Sequence, residues 1–194
     1  ANVYRGTKEI IVSILILLVQ IFLCSGFIFS ASKYFKKESG TVRPQQLAIQ
    51  ILGIVQILNS LYFSLHFSVE NRAVQAISLF FFFISIVYFY WAFSTVRKQV
   101  QLNFAFSKSS PQSIIQDGPY GHLRHPFYFS YICAWIGAVF ITQFSVISIV
   151  AGITLSILYV LAAKQEEHEF SQNNLKNLYD TYKQKTYRIV PFLY

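Results

Sequence analysis

Five long apolar runs separated by polar stretches organise this chain: about Ile10–Ser30, Leu47–Val69, Val74–Thr95, Tyr128–Phe144 and Val146–Ala163. About 20 apolar residues suffice to cross a bilayer as a helix, so the pattern predicts an all-α, polytopic membrane protein with about five transmembrane helices. The fourth run is the shortest. It contains Gly137 and leads through Ile141-Thr142-Gln143-Phe144 directly into the fifth, which predicts a tight helical hairpin with an uncharged far loop. From Lys164 to Tyr182 polarity rises, while Phe170, Leu175, Leu178, Tyr179 and Tyr182 are spaced to form one apolar stripe. That spacing predicts a helix that leaves the bilayer and folds back. The final segment, Arg188-Ile189-Val190-Pro191-Phe192, is apolar, but Pro191 keeps it from being a regular helix. It is expected to seal a site from below or to lie on the membrane.

Composition supports this reading. Hydrophobic residues make up 54% of the chain and charged residues 12%, an imbalance that argues against a soluble domain. The expectation is one integral membrane domain over residues 1–194, with three spans up to about residue 100 and a loop, hairpin and tail beyond. Ala1 to Glu9 carry no signal-cleavage pattern, so the first run is read as a retained span. Cys24 and Cys133 lie inside apolar runs, act there as small hydrophobes and give no disulfide framework.

The net charge of +8 is mainly topological. If there are five spans, Lys33, Lys36, Lys37, Arg43, Arg97, Lys98, Lys108, Arg124, Lys164, Lys176, Lys183, Lys185 and Arg188 all fall on one side, leaving Arg5, Lys8 and Arg72 for the other. Basic residues near span ends favour the cytoplasm, so the N-terminus is expected outside and the C-terminus inside. Contact with anionic lipid is a secondary effect, and a nucleic-acid partner is not expected. Oligomeric state is not legible in the sequence.

Candidate chemistry gathers at one membrane surface. Gly118-Pro119 reads as a turn that presents Tyr120, His122, Arg124 and His125 just before Pro126 starts the fourth span as a first-turn proline. Arg124 is either a topogenic cation or a partner for a ligand carboxylate. His125, fixed by Pro126 between Arg124 and Tyr128, is positioned to hydrogen-bond a ligand. Glu166 and Glu167 close the hairpin; they are either a solvated helix stretch or a partner for a ligand ammonium or sulfonium. An α-amino acid group needs both charges. His122, His125 and His168 are weaker candidates for a metal because no HExxH or CxxC spacing accompanies them. His66 reads as a helix-packing residue. Tyr62, Phe63, Phe67, Phe80 to Phe83, Tyr88 and Tyr90 suit lipid contact, packing or a long-chain substrate.

The ordered set Asp117-Gly118-Pro119-Tyr120, Arg124-His125-Pro126-Phe127-Tyr128, Glu166-Glu167 and Tyr179-x-x-Tyr182 resembles the isoprenylcysteine carboxyl methyltransferase and phospholipid methyltransferase family of integral membrane enzymes. The similarity covers the chain from about Asn103 onward. It implies an S-adenosyl-L-methionine-dependent methyltransferase whose cofactor arrives from the cytosol, while a lipophilic or lipidated acceptor arrives sideways from the bilayer. Carried over position by position, the cofactor contacts would be Gln112, Ser113, Ile114, Ile115, Tyr120, His125, Pro126, Phe127, Tyr128 and either Glu166 or Glu167. Arg124 would orient an acidic acceptor. No metal is expected, since HExxH or CxxC spacing is missing.

The chain departs from the family pattern in several places. Gly121 stands where a basic residue is frequent and Ser130 where a Gly is common. Ala162 or Ala163 stands where the carboxyl methyltransferases carry a substrate-binding Arg, and Asn173-Asn174-Leu175 where Phe-Gly usually precedes the tail tyrosines. Two rival readings remain. One is a nicotinamide-dependent membrane reductase, because sterol reductases carry a similar Arg-His-x-x-Tyr element; the other is a non-catalytic scaffold or small transporter. The proline at 126 and the short tail favour methyl transfer.

Overall fold

The computed structural model describes residues 7–34, 43–67, 69, 71–97, 113–172 and 174–193, with the side chains of helix 1 described over 14–28. Among them, six α-helices and one short 3-10 turn account for the regular structure: α1 (Thr7–Tyr34), α2 (Pro44–His66), α3 (Arg72–Val96), the 3-10 turn (Gly118–Gly121), α4 (Pro126–Ile141), α5 (Val146–Ser171) and α6 (Lys176–Lys185). α2, α3 and α5 are long and apolar enough to cross a membrane. The described part of α1 and the 16 residues of α4 form shorter apolar helices. At 1.5 Å per residue α4 is about 24 Å long, less than a hydrocarbon core of about 30 Å. The expectation of an all-helical membrane protein therefore stands for the described residues, in which α2, α3 and α5 have the length and apolarity of a full crossing.

Local chemistry sets the helix ends. Pro44 and Pro126 occupy the first turns of α2 and α4, where a missing N–H leaves nothing unsatisfied. Asn71 caps α3 by accepting from the amides of Ala73 and Val74, and Ser145 caps α5 by accepting from Ser148 N. α2 stops at His66, three residues before the end of its apolar run at Val69, because Phe67 turns extended. α4 stops at Ile141 rather than Phe144, since Gln143 and Phe144 adopt left-handed φ values of 52° and 62°. That pair makes the expected tight hairpin, and Asn59 of α2 ties it down by donating to Ser145 Oγ at 3.1 Å and Ser148 Oγ at 2.8 Å. α5 runs past its apolar end at Ala163 as far as Ser171, because Lys164-Gln165-Glu166-Glu167 are good helix formers once a helix is already running.

α3 and α4 form the most extensive helix pair. Gly137 allows the close approach: a Cβ there would lie 3.1 Å from the Phe82 ring and 3.2 Å from Ser78 O. Ser78 Oγ donates to Gly137 O at 2.9 Å, and Ser130 Oγ donates to Ser85 O at 3.1 Å, so buried hydroxyls join the two helices. Ser130, where a Gly is common in the resembling family, is thus part of the α3–α4 contact. Large apolar side chains such as Phe80 and Phe83 on α3 and Val150, Ile153 and Ile157 on α5 point outward, as lipid-facing surfaces do. Of the expected C-terminal stripe, Tyr179 and Tyr182 are buried, whereas Leu178 faces outward.

Candidate functional site

A reversal in the backbone builds the first wall. Gly118 sits at φ +58°, where a Cβ would meet Thr95 Oγ1 at 2.3 Å and Trp91 Nε1 at 3.2 Å, so glycine lets the chain turn against α3. Pro119 and Tyr120 are buried directly after it. Tyr120 packs beside Phe89, Ala92, Val96 and Phe127, with Ile115 against the same cluster. Burial, reinforced by the nearby Tyr182, Tyr131 and Glu166, holds the Tyr120 hydroxyl well above its ordinary value, so it stays protonated. Its backbone carbonyl accepts from the Tyr182 hydroxyl at 2.7 Å, which fastens α6 to the turn.

The tail forms the second wall. Tyr187 N donates to His122 O at 2.9 Å, Arg124 N to Tyr187 O at 2.8 Å and His125 N to Arg188 O at 3.0 Å, a short parallel pairing around Leu123 and Tyr187. Ile189 is fully buried beside Tyr128, Tyr159, Ala162 and Ala163. Within the segment 188–192, Ile189 is thus packed inside the fold, whereas Phe192 is exposed, as is Leu193 after it.

Between the walls lies a polar group shared by three segments. Arg124 Nε donates to Glu167 Oε1 at 2.8 Å. Arg188 donates from Nε to the same oxygen at 3.0 Å and from a terminal nitrogen to Oε2 at 3.0 Å. Arg124 also donates to the carbonyls of Lys183 (3.2 Å) and Thr186. With two guanidinium groups on it, Glu167 is held ionised despite being buried. Glu166 is different. Its carboxylate accepts from the Tyr128 hydroxyl, lies 3.3 Å from His125 Nδ1 and retains 26% exposure, against 6% for Glu167.

His125 stands between the two carboxylates with its ring stacked parallel to Tyr128. Burial alone lowers the pKa of its imidazole, but the attraction of the Glu166 and Glu167 carboxylates outweighs that and holds it above its ordinary value. Its Nε2 is buried and lacks a hydrogen-bond partner, with Glu167 Oε1 at 3.5 Å, beyond hydrogen-bond range. The Tyr179 hydroxyl, on a ring stacked with Phe170, is a second buried group without a hydrogen-bond partner.

The structure thus brings together Arg124, His125, Tyr128, Glu166 and Glu167, and it places Tyr120, Pro126 and Phe127 in the packing directly behind them. Ser113 is exposed and Ile114 half-buried, ahead of the turn. Gln112 lies outside the described residues. His122 and His168 are exposed, and among the described residues no group of three His, Cys, Asp or Glu side chains is arranged to hold a metal. His66 ends α2, exposed, with Nδ1 at 3.0 Å from Tyr62 O. Arg188 is the site residue that sequence reasoning passed over. The available signal was a single cation set between Tyr187 and the buried apolar Ile189.

No curated protein matches this chain. The family model for phospholipid methyltransferase matches residues 73–177, more than half of the chain, from the start of α3 through the hairpin and into α6, and takes in the turn, His125 and both carboxylates. The chain belongs to the phospholipid methyltransferase family, and with its long apolar helices it is an integral membrane methyltransferase.

Proposed function

We propose that the protein transfers a methyl group from S-adenosyl-L-methionine to a lipophilic acceptor held in or at the bilayer, an isoprenylcysteine-type carboxylate being one candidate. The carrying observation is the asymmetric pair at the end of the apolar part of α5: Glu167 is saturated by two arginines and leaves the buried His125 Nε2 on its side without a hydrogen-bond partner, while Glu166 is partly exposed with His125 Nδ1 at 3.3 Å. Those two open groups fit the polar end of an amino-acid-bearing cofactor, since a carboxylate suits an ammonium or sulfonium and an N–H donor suits a carboxylate. When bound, S-adenosyl-L-methionine supplies an activated methyl group on a sulfonium.

In this reading each residue has a modest task. Glu166 holds the positive charge, and the Tyr128 hydroxyl and His125 fix its carboxylate. His125 offers Nε2 as a donor. Tyr159, stacked on Tyr128 and tilted against Tyr131, packs these rings beside the site and excludes water, which strengthens every charge interaction within. Positioning then supplies most of the rate enhancement. Arg124, with Nε on Glu167 and a terminal nitrogen on two carbonyls, acts on the frame of the site. For an amine or thiol acceptor, the exposed His122 is the neighbouring imidazole able to take the proton. The basic-residue distribution supports a cytoplasmic site.

The test is methyl transfer from tritiated cofactor into organic-extractable material, using the reconstituted protein with mixed membrane lipids and prenylated cysteine analogues. Label should enter the organic phase with the wild type and fall at least about tenfold in Glu166→Gln, the loss of one hydrogen bond to a charged group. A folded wild type that labels no acceptor sinks the proposal.

A further inference from the structure

Arg188 meets the site twice. Its carbonyl accepts the amide of His125, and its guanidinium grips both oxygens of Glu167. A carboxylate oxygen has two lone-pair directions. On Glu167 Oε1 the two neighbouring N–H groups are Arg124 Nε at 2.8 Å and Arg188 Nε at 3.0 Å, so His125 Nε2 at 3.5 Å finds no remaining direction. That explains why a buried imidazole nitrogen beside a carboxylate goes without a hydrogen bond.

We propose that Arg188 is a positioning residue that, by saturating Glu167, keeps His125 Nε2 open toward a ligand. Without the guanidinium, Oε1 regains one direction and Oε2 loses its Arg188 donor. The imidazole then swings onto Glu167 while Nδ1 remains near Glu166, and the ring bridges the two carboxylates with no donor left over. The tail is on this account part of the site's geometry, reaching it from more than 20 residues downstream of Glu167. The ligand half of the inference rests on the cofactor reading above; the imidazole half does not.

The experiment uses the full-length purified protein labelled with 15N-histidine. The chain has four histidines, so the His125 signals are assigned by their loss in His125→Gln. In Arg188→Met the Nε2 signal should move to a hydrogen-bonded position that the wild type does not show. In parallel, S-adenosylhomocysteine affinity should fall tenfold or more. Arg188→Lys keeps the charge with a single-point contact and should be intermediate in both readouts; it also decides the matter if the methionine variant fails to fold. His125 signals unchanged in folded Arg188 variants, or unchanged affinity beside a wild type that binds, overturns the proposal. If the wild type binds no S-adenosylhomocysteine, the cofactor reading falls, and the imidazole signals alone decide the role of Arg188.

Discussion

Glu167 and Arg188, 21 positions apart, form a two-pronged ion pair in which each carboxylate oxygen accepts one guanidinium nitrogen at 3.0 Å. The neighbouring Glu166 has no arginine on it. The two adjacent glutamates should therefore respond oppositely to truncation. Glu167→Ala leaves two guanidinium groups facing a buried gap and should lower stability by about 3–5 kcal/mol, the range for breaking a buried pair from one side. Glu166→Ala should lower thermal stability far less while reducing cofactor affinity. Thermal denaturation of both variants in one detergent checks this; equal losses would remove the distinction.

The pH dependence follows from His125, which faces Glu166 and Glu167 and stacks on Tyr128. Its folded-state value is raised above 6.5, so the stability it contributes is fully present below about 6.5 and is lost as pH rises through the raised value. Melting temperature of the wild type should decline across that rise. His125→Gln should lack this component, and the difference between the two curves isolates it. Parallel curves would mean that the imidazole does not titrate as the geometry requires.

Gly118 and Gly137 should not tolerate a side chain, for different reasons. Gly118→Ala forces φ +58° on a residue with a Cβ and drives it against Thr95; the cost is about 1–3 kcal/mol with a displaced turn. Gly137→Leu wedges α3 from α4 against Phe82 and should be worse. Retention of wild-type melting temperature in either would contradict the packing described.

Gln56 is fully buried in α2, and neither its side-chain amide oxygen nor its nitrogen has a hydrogen-bond partner. Gln56→Leu removes two unsatisfied groups and should stabilise the protein by about 1–3 kcal/mol. Loss of stability would instead reveal a polar partner for this side chain inside the bundle.

How much of this was legible in the sequence depends on the range of the interaction. The apolar runs, Pro126 and the Gly118-Pro119 turn are local signals; the 3-10 turn, α4 and α5 start at Gly118, Pro126 and Val146, whereas α1, α2 and α3 start two or three residues before their apolar runs. Helix ends were harder. The spacing from Lys164 to Tyr182 predicts one helix leaving the bilayer and folding back; helix does continue past Lys164, but as two pieces, α5 ending at Ser171 and α6 starting at Lys176. The convergence of Arg124 and His125 with Glu166 and Glu167 could be anticipated because both groups sit at the same end of one hairpin. The hold of Arg188 on Glu167 could not. It depends on a non-helical tail returning to pair with Leu123, and no spacing rule encodes that register. The small Ala162 and Ala163 were legible only as a departure from the family pattern, whereas in the fold they are the buried neighbours of Ile189.

The most direct test of the central claim, that Glu166 and His125 form a cofactor site framed by Glu167 and Arg188, is calorimetric titration of the detergent-purified protein. S-adenosylhomocysteine and NADPH would be titrated into wild type, Glu166→Gln and the Glu166/Glu167 double alanine variant. The account predicts saturable binding of S-adenosylhomocysteine by the wild type, weaker by about tenfold or more in Glu166→Gln, absent in the double variant, and no heat from NADPH. Binding of NADPH, or S-adenosylhomocysteine affinity unaltered by loss of both carboxylates, would contradict it.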